Sequence, residues 1–218
     1  MQIQALERIY RFTIFGNKLV YKTRMNLEEY IQTIQLHLID THSKVLNLFS
    51  EKVEVKNYKP MDDGWSISEI LEHIALTSHF LLILIDKGAD KSIRNINEES
   101  IEELLKDENF NLDKIERIGM HKSFDWIRPE HMEPTGQKTD LEIRNQLVSQ
   151  LNRCLNQLET LRNGEGLRYK TTMTVDGLGK IDVYEYIYFL SKHAERHLHQ
   201  MKENKIEFKE SRTAITTR

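Results

Sequence analysis

The positions of the chain-breaking residues constrain this sequence most. Its 218 residues include three prolines and nine glycines. They fall at Gly16, Pro60, Gly64, Gly88, Gly119, Pro129, Pro134, Gly136, Gly164, Gly166, Gly177 and Gly179. Tracts free of both span 17–59, 65–87, 89–118, 137–163 and 180–218. Such tracts suit helices of many turns and do not suit a small all-β domain, which needs frequent reversals. A single domain is the expectation at this length.

Four apolar patterns of helical period occupy these tracts. The first covers Asn26 to Phe49, with Leu27, Ile31, Ile34, Leu38, Val45 and Leu48 on one face and Asn26 as N-cap. The second covers Ser66 to Lys87 and opens with the capping box Ser66-Ile67-Ser68-Glu69. Gly88 is placed to end it. The third covers Asp140 to Arg162 behind the box Thr139-Asp140-Leu141-Glu142, and Gly164 closes it. The fourth covers Val183 to Glu203, with Asp182 and Glu185 repeating the cap pattern. On this placement no breaker lies inside a helix.

Between the second and third helices a long connection, 88–138, is expected to hold one short helix near Glu98–Lys106 and otherwise irregular chain. Connections of that length inside a compact domain are usually functional or cross a bundle. Thr171–Val175 followed by Asp176-Gly177 is a candidate extended or hairpin piece.

Composition narrows the function. No run approaches the ~18 apolar residues of a membrane span. A formal charge of −3 offers no electrostatic footprint for nucleic acid. The one cysteine, Cys154, has no partner for an internal disulfide, so a reducing cytoplasm is the default. Residues 1–24 are locally basic through Arg8, Arg11, Lys18, Lys22 and Arg24. Three readings stay open for them: an extra ordered helix, a frayed tail, or a segment upstream of an initiator at Met25.

The chain carries nine histidines. His193 and His197 stand at i and i+4, which puts both rings on one helix face, as two ligands of one metal require. That face also bears Tyr186, Phe189, Leu190 and Gln200, so it points into a core. His73 occupies a matching inward face of the second helix beside Ile70, Thr77 and Phe80. The residues alone leave two options: a three-histidine metal site with open coordination positions, or three polar residues packed in a core.

Three stretches carry a family resemblance. They are Trp65-Ser66-Ile67-Ser68-Glu69-Ile70-Leu71-Glu72-His73, Leu178-Gly179-Lys180-Ile181-Asp182-Val183-Tyr184-Glu185-Tyr186, and His193-Ala194-Glu195-Arg196-His197-Leu198-His199-Gln200. With the stretch Pro129 to Pro134, they resemble the DinB/YfiT superfamily of metal-binding four-helix bundles. The resemblance spans about Met25 to Phe208. It implies an all-α four-helix bundle with a long crossover between helices two and three. The chain then divides into an extension at 1–24, a bundle domain at 25–208 and a tail at 209–218. The resemblance further implies that His73, His193 and His197 hold a divalent metal, commonly zinc, nickel or iron, and that dimers are frequent.

Some members transfer low-molecular-weight thiols such as bacillithiol or mycothiol. A metal-dependent thiol S-transferase acting on a small molecule is therefore the expected function. The alternatives are a metal-dependent hydrolase and a non-catalytic metal-binding or dimerising bundle protein.

Other residues receive plainer assignments. Glu69 belongs to the capping box, and Gln200 either lines the site or is solvated. His199 points away from the shared face. His37, His42 and His79 are packed or surface residues, while His121 and His131 could border a substrate pocket. Cys154, on the stripe Leu147, Leu151, Leu158, is a buried inert thiol. Trp65 packs at the helix start, and Trp126 covers the bundle or lines a cleft. Arg196 is expected to pair with a surface acid such as Glu195 or Glu203.

Overall fold

The structure, a computed structural model, describes residues 10–15, 18–23, 25–94, 100–107, 110–126 and 129–216. In chain order the elements are β1 Tyr10–Phe15, β2 Lys18–Thr23, α1 Leu27–Asn47, α2 Val53–Lys56, α3 Ile67–Arg94, α4 Ile101–Asp107, α5 Asp113–Gly119, α6 Asp140–Thr160, β3 Thr171–Met173, β4 Gly179–Ile181 and α7 Val183–Thr216. The class is all-α: α1, α3, α6 and α7 form the body of the bundle. Helix α7 packs on α1 and α3, and α6 closes the ring against the same two.

The starts of the four long helices follow from their capping residues. The Glu29 amide donates to Asn26 Oδ1 at 2.9 Å, and the Asn26 amide returns the bond to Glu29 Oε2 at 3.0 Å. Ser66 and Glu69, Thr139 and Glu142, and Asp182 and Glu185 make the same reciprocal pairs. Each satisfies amides that the helix leaves open, worth about 1 kcal/mol.

Several expectations need correction. Gly88 does not end α3, which runs on to Arg94. A Cβ there would stand 3.1 Å from Val183 Cγ2 and 3.4 Å from Tyr169 Cδ1, so the glycine marks a close approach and not a stop. Helix α7 passes Glu203 and the positions assigned to a tail, as far as Thr216. Its added turns are held from outside: Asn204 Nδ2 donates to the Trp65 carbonyl at 2.8 Å, Tyr58 OH donates to Glu207 at 2.9 Å, and Lys205 pairs with Glu51.

Among the described residues, the connection before α6 contains two α-helices, where one short helix was expected. Helix α4 matches the expected one, although Glu98 lies outside the described residues. Helix α5 was not anticipated; it buries Ile115 and Ile118 against α7. Within 1–24, strands β1 and β2 pair antiparallel, with Tyr10 opposite Thr23 and Phe15 opposite Lys18. An extra helix is thereby replaced by a hairpin at those positions, and residues 1–9 lie outside the described ones. The short hairpin expected after Thr171 is present as β3 and β4, with Thr171 opposite Ile181.

The buried apolar residues fall into two clusters stacked along the bundle. One gathers Ile34, Leu38, Leu81, Ile85, Cys154, Leu158, Ile187 and Leu190; the other gathers Val45, Ile70, Ile74, Ala75, Leu147, Ala194 and Met201. Each long helix crosses from one to the other, and on each the crossing is marked by buried polar residues. These are Thr41 and His42 on α1, Thr77 and Ser78 on α3, Gln150 on α6, and Ser191 and His193 on α7. A polar layer thus cuts the core in two.

By length and composition α3 could cross a membrane, but 61% of its apolar window is buried inside the bundle. Its apolarity is accounted for by the core it fills.

Candidate metal centre

Two helices supply the site. The i, i+4 spacing on α7 sets His193 and His197 one turn apart, with Nε2 to Nε2 at 3.1 Å. Helix α3 brings His73, whose ring centroid lies 5.2 Å from that of His193 and 4.8 Å from that of His197. One ligand atom from each of the three lies within 4.8 Å of the others, and all three residues are buried. Among the described residues no carboxylate or thiol joins the group.

Hydrogen bonds fix which nitrogen of two rings faces inward. A carbonyl only accepts, so the 2.7 Å contact with Met132 O places a proton on His73 Nδ1 and leaves Nε2 as the lone-pair atom. The 3.0 Å contact with Gln200 Oε1 does the same for His197. This is the arrangement in which an outer carbonyl orients a metal-ligating imidazole.

Burial pushes the His193 imidazole well below its ordinary 6.5, helped by His197, His73 and the Arg196 cation. Burial, with His73 and Arg196, also lowers His197, to about 3. Both rings are therefore neutral near pH 7, the form that ligates a metal. Convergent, buried imidazole nitrogens fit a divalent cation. The three buried histidines could hold one.

A profile of the DinB superfamily matches residues 21–201. The chain belongs to the DinB superfamily. No curated protein and no solved structure matches it. The three stretches quoted from the sequence all fall within the matched region, and so do all three histidines.

In this DinB-superfamily bundle the walls of the site are aromatic. The Trp65 ring lies 4.7 Å from His73, and the Trp126 ring lies 5.4 Å from His193. Trp126 stacks on Phe124 at 5.2 Å. These are the chain's two tryptophans. Trp126 therefore does line the site, and Trp65 does more than pack a helix start.

Arg196 is the largest departure from expectation. It is 8% exposed and pairs with neither Glu195 nor Glu203. Its Nη1 donates to the Met120 carbonyl and, at 3.2 Å, to Ser123 Oγ; its Nη2 donates to the Phe124 carbonyl at 3.2 Å. The guanidinium also lies over the Phe124 and Trp126 rings, at 4.8 and 5.4 Å. It ties residues 120–126 down beside His193. Its sequence neighbours gave no hint, because its acceptors are backbone carbonyls of a distant loop.

Glu72 was also missed. It is almost fully buried and accepts from Thr135 Oγ1 and the Gly136 amide, both at 2.8 Å. Together with the Met132 bond, it clips the chain before α6 onto the turn of α3 that carries His73.

The remaining residues fall as follows. Glu69 serves its cap and pairs with Lys59. Gln200 orients His197, and His199 is exposed. His42 is buried, whereas His79 is exposed. His37 meets Ser191 at 2.9 Å and Glu195 at 3.3 Å. His131 meets Phe80 edge to face, with ring centroids 4.4 Å apart, and His121 lies 3.4 Å from Glu203. Cys154 is buried, and burial pushes its thiol up to about 12, so it is inert.

Proposed function

We propose that the protein is a metal-dependent thiol S-transferase, with His73, His193 and His197 as ligands of a zinc, nickel or iron ion. The observation that carries this reading is the triad itself: three buried imidazoles, two of them held neutral by burial, no anionic ligand among the described residues, and an arginine close by. A bound dication would supply Lewis acidity, favouring the anionic form of a thiol or water placed beside it.

The chain's own groups do the rest. Met132 and Gln200 hold two rings in the ligating tautomer. Trp65 and Trp126 exclude water and offer flat apolar surface to the electrophile. Arg196 adds positive charge, which favours an anionic partner. In this reading the substrates are a low-molecular-weight thiol and a small electrophile. The protein works in the cytoplasm as a homodimer.

Neutral ligands with the charge of a dication would serve a metal-dependent hydrolase as well. The test is conjugation of bacillithiol or cysteine to monochlorobimane by protein purified without a His-tag. Metal-dependent conjugation that disappears in His193→Ala is the expected result. Stoichiometric metal with no conjugation, but with ester or amide hydrolysis, would move the assignment to a hydrolase. Absence of bound metal would end both.

A further inference from the structure

Among the described residues, four buried side-chain polar atoms without a hydrogen-bond partner belong to the polar layer: His42 Nε2, Thr77 Oγ1, Ser78 Oγ and Gln150 Oε1. They come from three different helices, α1, α3 and α6. Such groups are costly to bury unpaired, and native interiors satisfy them with protein or with ordered water.

Two of the side chains, His42 and Gln150, cannot satisfy themselves by turning. His42 Nδ1 donates to the Leu38 carbonyl at 2.9 Å, which fixes its tautomer and leaves Nε2 an acceptor. Gln150 Nε2 donates to the Ala75 carbonyl at 2.8 Å. Flipping that amide would set oxygen against oxygen, so Oε1 remains the unpaired atom. The layer therefore presents two acceptors, His42 Nε2 and Gln150 Oε1, and two hydroxyls that can donate. Water, which donates and accepts twice, is the small molecule that matches this mixture.

Gln150 also lines an open groove of about 500 Å3 between α3 and α6, with Leu76, His79, Gln146 and Arg153 among its walls. The glutamine thus belongs both to the layer and to a surface opening. His193 stands in the same layer on α7.

We propose that the polar layer is an internal water site, filled through the α3–α6 groove with Gln150 at its mouth. It gives the histidine cluster a solvent inlet separate from the side walled by Trp126. The inlet stands whether the cluster serves a transferase or a hydrolase.

The experiment is a crystal structure of the metal-loaded protein at a resolution that orders solvent, with water proton relaxation dispersion in solution. Ordered waters bonded to His42 Nε2, Ser78 Oγ and Gln150 Oε1, exchanging with bulk, are expected. Gln150→Leu should lengthen the residence time of these waters severalfold without displacing the metal. Gln146→Ala, at the outer wall, should leave the waters in place and serves if Gln150→Leu does not fold. A dry layer whose polar atoms bond one another would overturn the proposal. So would an unchanged residence time in a folded Gln150→Leu variant, or loss of the waters in Gln146→Ala.

Discussion

Nδ1 of His73 donates to the Met132 carbonyl at 2.7 Å, across 59 positions of sequence. The residue on α3 that completes the triad is therefore oriented by the chain that crosses toward α6, and Glu72 anchors that chain beside it. Glu72→Gln keeps the shape but weakens two charge-assisted bonds. It should lower stability by about 1–3 kcal/mol. Amide exchange at Gly136 should speed up and metal affinity should fall. Exchange mass spectrometry and metal titration read the two effects.

Gln200 should matter to the metal more than to the fold. Gln200→Leu removes the acceptor for His197 Nδ1 while keeping the helix. Outer partners of this kind are worth about 10–100-fold in metal affinity. The expected result is a weaker titration midpoint with little change in melting temperature.

Arg196→Met should release the segment around Trp126. The variant keeps apolar bulk but loses bonds to Met120, Ser123 and Phe124. A loss of about 2–3 kcal/mol is expected, together with a red shift of tryptophan emission as Trp126 gains water. Arg196→Lys should recover only part of it, because one ammonium cannot reproduce the planar fork. If Met and Lys gave the same emission as the parent, the tether would have no such role.

Acid should destabilise the metal-free protein well above the usual carboxylate range. Burial holds His42 at about 4 and His197 at about 3, against 6.5 for the ordinary side chain. With the folded value lower, the unfolded chain binds more protons. Stability is then full above about pH 6.5 and is lost as the pH falls toward 4 and 3. For His42 the fall from 6.5 to about 4 corresponds to about 3 kcal/mol. Urea denaturation across pH 4–7 should show this slope, and His42→Leu should flatten part of it.

Cys154 should stay silent toward alkylation in the native protein. Its thiol is buried and pushed to about 12 by that burial. Iodoacetamide should label it only in denaturant, at the rate of global unfolding. Rapid native labelling would contradict the packing of α6.

The sequence revealed the helices through their caps and stripes, because those signals are local. Asn26 with Glu29 and Thr139 with Glu142 are three residues apart and answer only to each other. The pair His193 and His197 was legible for the same reason, His73 was marked by its inward face on the second helix, and family resemblance joined the three. Elements that depend on distant partners were not legible. Gly88 looked like a stop because its reason, contact with Val183 and Tyr169, lies 95 and 81 positions away. Helix α5 is one short turn pair, and two isoleucines give too brief a period to read. The end of α7 beyond Glu203 was placed outside the helix, but it is held by Tyr58, Trp65 and Glu51. Arg196 looked like a surface cation because nothing near it in sequence is its acceptor.

The histidines divide unevenly between their helices, two on α7 and one on α3. The spacing of His193 and His197 is set by a single helical turn and is insensitive to how the bundle is assembled. The distance from either to His73 measures how α3 sits against α7. The triad is thus a gauge with one rigid arm and one sliding arm. Anything that shifts α3 along its axis changes two of its three sides at once, including a change at Gly88 or along the chain from Met132 to Gly136. The setting of this centre is distributed over residues outside the triad.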